Sequence, residues 1–123
     1  MEYLDAGSPD CPLIRLYEFS RAEARLLHDL VNRLATGSVE TVQLHNESFI
    51  EAVGGCHLEL GLGRRDLGIA PRDLGNFECV LTAEAWHDVA FLIRPFCESD
   101  VRGFQWLNET SEISLLLSHD GRW

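Results

Sequence analysis

Three polar side chains in the middle of the chain are of types that can bind a metal ion or transfer protons. His57 and Glu59 are two residues apart in a segment with alternating apolar residues, so both lie on one face of a strand. Glu78 joins them if the strand that contains it pairs alongside. A histidine with two carboxylates can bind a divalent metal or perform acid-base catalysis. The alternative is a solvated face of a sheet, and both interpretations stay open.

A second candidate site is the arginine-rich segment at residues 63–76, which we predict to be a long loop. It contains Arg64, Arg65 and Arg72, and the tetrapeptide Arg-Asp-Leu-Gly occurs in it twice. Guanidinium groups favour carboxylate and phosphate partners, so this loop predicts a site for a small anionic ligand. The alternative is that the arginines and aspartates of the repeat satisfy the turns of the loop itself.

The composition excludes several kinds of chemistry. The chain has 123 residues and a formal charge of -10, and all ten basic residues are arginine. Without lysine, there is no Schiff base, no lysine-bound pyridoxal phosphate and no P-loop lysine. A strongly acidic surface repels phosphate backbones, so we expect no nucleic-acid partner.

Common catalytic signatures are also absent from the sequence. It contains no GxSxG, GxGxxG or HExxH motif. We therefore expect no cofactor. Our first interpretation is a non-catalytic domain that binds a small ligand or a protein partner.

The N-terminal residues 1–12 are acidic and interrupted by two prolines, which predicts a flexible segment. They lack the basic start and apolar stretch of a signal peptide, and no segment has the length of a membrane span. The four cysteines have no CxxC spacing, as expected for reduced thiols. These features predict a cytoplasmic protein without membrane contact.

Two helices are predicted from their caps and apolar spacing. An apolar strand at residues 13–19 leads to Ser20 and Glu23, which form the capping-box pattern, and Gly37 supplies the stop. A helix at residues 21–36 follows. A second helix starts after Thr82, and Pro95 is expected to end or kink it.

The remaining apolar patterns predict a single α+β domain over residues 1–123. Strand signals occur at residues 39–45, 49–53, 56–62, 77–81, 104–107 and 112–118. The element order is then βαβββ, loop, βαββ. Hairpins within each group of strands predict a two-layer fold, in which two helices cover a largely antiparallel sheet.

The two halves of the sequence align at an offset of 62 residues. Ser20 then aligns with Thr82 as a helix cap, and Gln43 aligns with Gln105. One explanation is the duplication of a βαββ unit. The other is that any two such units share the same local signals, and the sequence leaves both explanations open.

This element order is similar to that of the vicinal oxygen chelate family, in which two modules form a cup around a divalent metal. The resemblance is one of topology and covers most of the chain. It implies a metal-dependent enzyme in which Glu59 and Glu78 are the nearest counterparts of the family's ligands. The first strand offers no histidine, and the sequence ends at Trp123, where the last ligand strand would begin. The implied metal site is therefore incomplete.

A homodimer is expected from the last predicted strand. Leu116 lies in a run of three leucines, so both faces of this strand are apolar, and a second copy would cover it at a sheet edge. Trp123 is a second candidate interface residue, because aromatic side chains concentrate binding energy.

Overall fold

The computed structural model describes residues 1–99 and 102–123. Over these residues the chain forms two α-helices and eight strands, and the predicted α+β class is confirmed. The elements are β1 (Glu2–Leu4), β2 (Leu13–Tyr17), α1 (Arg21–Thr36), β3 (Thr41–Gln43), β4 (His57–Leu62), β5 (Gly68–Asp73), β6 (Asn76–Leu81), α2 (Ala83–Glu98), β7 (Phe104–Asn108) and β8 (Ser114–Ser118).

The strands form two sheets of four strands each, where the sequence predicted one. Sheet A has the order β1-β2-β8-β7, and sheet B has the order β3-β4-β6-β5. Each sheet contains one parallel pair, β2 with β8 and β4 with β6, and the other neighbours are antiparallel. The two halves of the chain therefore interlock, because the first strand of each βαββ unit pairs with the last strand of the other.

The two sheets correspond strand by strand. Reading β1-β2-β8-β7 against β5-β6-β4-β3 gives the same sequence of antiparallel, parallel and antiparallel pairs. Both helices have 16 residues, and their first residues, Arg21 and Ala83, are 62 positions apart. The sequence offset thus relates structurally equivalent helices. Duplication of an ancestral unit stays a hypothesis.

Both predicted helix starts are confirmed. The Ser20 hydroxyl accepts a hydrogen bond from the Glu23 amide, and the Glu23 carboxylate accepts one from the Ser20 amide, which completes the capping box. Gly37 ends α1 in the left-handed conformation. Thr82 caps α2, but this helix continues past Pro95 to Glu98 and does not end at the proline.

The apolar faces of both helices and both sheets bury a single core. The helices pack against each other, and Trp86 of α2 is fully buried within this core. Its indole N–H donates to the backbone carbonyl of Gly61 in β4 at 2.8 Å. This bond joins α2 to sheet B and satisfies a polar group that would otherwise be buried without a partner.

The predicted return strand at residues 49–53 does not form. The Ile50 amide donates to the Glu47 carbonyl in a turn, and the Val53 amide donates to the carbonyl of Met1. The prediction of a flexible segment at residues 1–12 is also wrong in part. Residues Glu2–Leu4 form an edge strand of sheet A, and Met1 is only 4% exposed.

The predicted loop at residues 63–76 is also different, because residues Gly68–Asp73 form strand β5. Within sheet B this strand pairs with β6 alone, so it lies at the edge of the sheet. Its other side makes one isolated bridge, from Ile69 to Ile113. Pro71 lacks a backbone N–H, and an edge position tolerates this loss because one side of the strand needs no partner. The proline and the repeated Arg-Asp-Leu-Gly pattern therefore resemble a loop in sequence while forming a strand.

In the described part of the chain, neither helix has the length and apolar character needed to cross a bilayer.

Candidate functional site

The first candidate site is assembled by the parallel pairing of β4 with β6. Glu59 lies opposite Glu78, and His57 lies opposite Asn76. The strand that contains Glu78 thus pairs alongside the strand of His57 and Glu59, and the three residues lie in one region of sheet B.

Arg72 of the edge strand β5 belongs to the same region. Its guanidinium group donates to Glu78 at 2.7 Å and also bonds to Glu59. The hydrogen bonds that Arg72 donates, to Glu78 first and to Glu59 second, raise its pKa above the ordinary value. The arginine thus joins β4, β5 and β6 and balances charge between the two carboxylates. One arginine of the second predicted site therefore joins the first, and we call Glu59, Glu78 and Arg72 the polar cluster of sheet B.

Two histidines extend this polar cluster. The rings of His45 and His57 stack with centroids 4.3 Å apart. The Leu58 amide donates to His45 Nδ1 at 3.2 Å, so this atom carries no proton. His57 Nδ1 lies 3.0 Å from the Asn76 side-chain oxygen, which requires the histidine to donate. Nδ1 therefore accepts a hydrogen bond in His45 and donates one in His57.

The polar cluster is largely satisfied by its own members. Within residues 1–99 and 102–123, no group of three or more His, Cys, Asp or Glu side chains is arranged to hold a metal ion. A metal bound between Glu59 and Glu78 would have to displace Arg72. The metal hypothesis for His57, Glu59 and Glu78 stays a prediction, and the observed bonds favour a structural role for these carboxylates.

The three arginines proposed as an anion site lie in different parts of the 63–76 segment. Arg64 and Arg65 precede β5, while Arg72 is the fifth residue of this strand. Because a strand rises about 3.3 Å per residue, Gly68 and Arg72 alone are roughly 13 Å apart. The Asp66 carboxylate accepts two hydrogen bonds from Thr82 at the start of α2. The first Arg-Asp-Leu-Gly copy therefore anchors a helix, and the anion site at Arg64, Arg65 and Arg72 stays a prediction.

A separate cleft of about 790 Å³ lies where β1 of sheet A faces the β5–β6 hairpin of sheet B. Its apolar lining includes Tyr3 and Phe77, whose ring centroids are 4.6 Å apart, together with Val53 and Pro71. Small-molecule sites in proteins usually have volumes of about 300–1,000 Å³ with mainly apolar linings and a few polar groups. The size and lining of this cleft fit that description.

The described polar lining of the cleft is acidic. Glu2, Asp5 and Asp73 contribute carboxylates, and no basic side chain lines the cleft in the described residues. Burial, followed by the nearby charges of Asp5 and Glu112, raises the pKa of Tyr3 above its ordinary value. Mainly because of burial, the pKa of the Cys56 thiol is raised to about 11, so it stays protonated at neutral pH.

The rim of the cleft is formed by the turn between β5 and β6. Leu74 at the tip of this turn is 100% exposed. Gly75 has a φ of 79°, and a Cβ atom there would lie 3.1 Å from the Gly55 carbonyl oxygen. The glycine therefore lets the hairpin approach the 53–55 turn closely. Sequence reasoning missed the cleft, because its lining comes from segments far apart in the chain.

The proposed interface residues are engaged within the chain. Strand β8 is paired on both sides, and Leu116 is fully buried. The hypothesis that Leu116 forms an interface at a sheet edge is therefore wrong. The Trp123 indole N–H donates to the Asp10 carboxylate at 3.0 Å. This bond connects the C-terminal residue to the segment between β1 and β2.

Comparisons with protein-family models, curated proteins and solved structures give no match to this chain.

Proposed function

We propose that this chain is a small non-catalytic binding domain and that the cleft between β1 and the β5–β6 hairpin is its ligand site. The observation that carries the proposal is the cleft itself, with a volume of about 790 Å³ and an aromatic pair in its lining. An exposed leucine at its rim adds apolar surface where a ligand would enter.

The chemistry of the lining supports binding over catalysis. Among the described residues that line the cleft, the cysteine is Cys56. The raised pKa of its thiol keeps it in the unreactive protonated form. The described lining residues include no histidine that could act as a base near neutral pH. Glu2 is already paired with Arg15 at 2.5 Å. These features support a site that recognises its ligand by shape and charge.

The two copies of the Arg-Asp-Leu-Gly repeat provide a matched pair of variants for testing this proposal. Leu74 lies at the cleft rim, whereas Leu67 is 60% exposed and lies outside the cleft. A fragment library screened by 1H-15N NMR should give hits that shift the amide signals of the cleft. Leu74→Asp should weaken these hits, and Leu67→Asp should not. Hits confined to other surfaces, or equal effects of both variants, would overturn the proposal.

A homodimer stays part of the proposal, although through a surface other than Leu116. Support comes from two apolar side chains on the helices, Leu26 at 47% and Phe91 at 65% exposure. Native mass spectrometry of the untagged protein gives the oligomeric state directly. If the protein is a dimer, Phe91→Asp should produce monomers, while a monomeric wild type contradicts this part.

We also place the domain in the cytoplasm without nucleic-acid or membrane partners. The formal charge of -10 and the absence of disulfides among the four cysteines support this location. Separating cell fractions and detecting the native protein in each tests the assignment. Recovery from the membrane or the secreted fraction would contradict it.

The second candidate function is a metal-dependent enzyme that uses His57, Glu59 and Glu78. The observation that favours it is the direct opposition of Glu59 and Glu78 on β4 and β6. Metal analysis of the purified protein should then give about one divalent ion per chain, with loss of that ion in His57→Ala. Protein free of metal after dialysis against zinc or manganese would remove this candidate.

A further inference from the structure

We infer that the ligand of the cleft is a small organic cation in which an ammonium group is attached to a flat apolar body. This inference rests on the proposed binding function and adds the chemical class of the ligand. It combines two independent features of the cleft, the aromatic pair in its lining and the sign of its charge.

The aromatic pair is formed by Tyr3 from β1 and Phe77 from β6. Their centroids lie 4.6 Å apart with the ring planes tilted by 38°, and both residues line the cleft. Phe77 is only 6% exposed, so Tyr3 provides most of the accessible aromatic surface of the pair. A flat apolar group can pack on such a surface. Aromatic faces also attract cations, because the ring quadrupole is negative at the face. This feature favours a ligand with a cationic group next to a flat ring.

The charge of the cleft favours the same class. Arg15 neutralises Glu2 through a 2.5 Å ion pair, so the attraction for a cation comes mainly from Asp5 and Asp73. Asp73 accepts a hydrogen bond from the neutral amide of Asn76, which leaves its charge in place. The raised pKa of Tyr3 has the same origin in part, since the negative charge of Asp5 disfavours ionisation of the phenol.

An anionic ligand is disfavoured by the same groups. The chain has no lysine, and neither Arg64, Arg65 nor Arg72 lines the cleft. A carboxylate or phosphate ligand would therefore meet aspartates without a compensating cation in the described lining. The ligand class differs from the anion expected from the arginine-rich segment, because the fold places those arginines elsewhere.

Three probes of the same shape test the inference: phenethylammonium, 2-phenylethanol and phenylacetate. Each carries a phenyl ring, and they differ in charge. Titrations followed by 1H-15N NMR should show the cation binding about threefold to tenfold more tightly than the alcohol, and the anion binding most weakly. The preference for the cation should decrease as salt increases, because the aspartates are accessible to solvent ions.

Charge-neutralising variants identify the source of the preference. Asp5→Asn should reduce the affinity for phenethylammonium and leave that for 2-phenylethanol unchanged. Asp88→Asn is the control, because Asp88 is exposed on α2 and lies outside the cleft. A loss of cation affinity in Asp5→Asn alone would support the inference.

The other outcomes overturn it and separate it from the binding function. Equal binding of all three probes in the cleft would leave the binding function standing and remove the cation preference. Tighter binding of phenylacetate, or no change of any cleft signal with phenethylammonium, would also remove it. The fragment screen with Leu74→Asp then decides the binding function separately.

Discussion

Glu59 and Glu78 lie directly opposite each other on the parallel strands β4 and β6, and the guanidinium group of Arg72 bonds to both. Two neighbouring carboxylates on a sheet repel each other. The third strand, β5, supplies the opposite charge that makes this arrangement stable. Arg72 therefore links strand β5 to both β4 and β6.

Arg72→Met should lower the free energy of unfolding, because it leaves the Glu59 and Glu78 carboxylates facing each other without a cation. Adding Glu78→Gln should restore part of the loss, which a double-mutant cycle in urea can measure. Arg94→Met is the matched control, since Arg94 forms an exposed ion pair with Glu98 on α2 at 3.5 Å. Such pairs contribute little. An equal loss in both single variants would contradict the proposed link.

Trp86→Phe should destabilise the protein by about 1–3 kcal/mol, because it leaves the Gly61 carbonyl without its buried donor. Trp123→Phe also removes an indole hydrogen bond, but that bond is at the surface, with Asp10. Urea unfolding followed by circular dichroism measures both changes. We expect Trp123→Phe to have the smaller effect. The reverse order would show that the Trp86 bond contributes little.

Gly75→Ala should destabilise the β5–β6 hairpin by about 1 kcal/mol or more, since alanine disfavours a positive φ. The added Cβ would also lie 3.1 Å from the Gly55 carbonyl oxygen. Gly103→Ala is the control, because nothing lies within 4 Å of a Cβ atom there and its φ is not positive. Thermal unfolding compares the two variants. If Gly75→Ala leaves the melting temperature unchanged, the hairpin can move away from the 53–55 turn.

The native protein should react slowly with thiol reagents at Cys56 and Cys79, because burial raises the pKa of these thiols to about 11 and about 12. Both should react quickly in denaturant. Mass spectrometry after brief alkylation at pH 8 can locate the modified residues. Fast labelling of Cys79 in the native protein would contradict its burial.

Because of Cys56 and Cys79, we expect the protein to lose stability at alkaline pH. Their pKa in the folded protein exceeds the ordinary value of 9.0, so the native state keeps protons that the unfolded state has released. Their contribution to stability is complete below pH 9.0 and disappears as the pH rises through about 11 and about 12. Urea unfolding between pH 8 and 11 measures how steeply the free energy of unfolding falls with pH. Cys79→Ala should make this slope smaller. A slope unchanged by this substitution would contradict the assignment.

The sequence determined the parts of this protein that depend on neighbouring residues. The capping box at Ser20 and Glu23 defines the start of α1, and the alternation from Cys56 to Leu62 defines β4. These signals are local, because a cap bonds within one turn and a strand alternates every second residue. The helix offset of 62 residues was visible for the same reason.

Only the tertiary structure decided which strands are neighbours. Sequence could not pair β4 with β6 or place β8 in the interior of sheet A, because strand pairing is a contact between distant segments. It also mistook β5 for a loop, since an edge strand needs hydrogen bonds on one side only. The cleft depends on all of these pairings, because its lining comes from β1, β5, β6 and the 53–56 segment. Local signals therefore specified the elements, while long-range packing specified the candidate site.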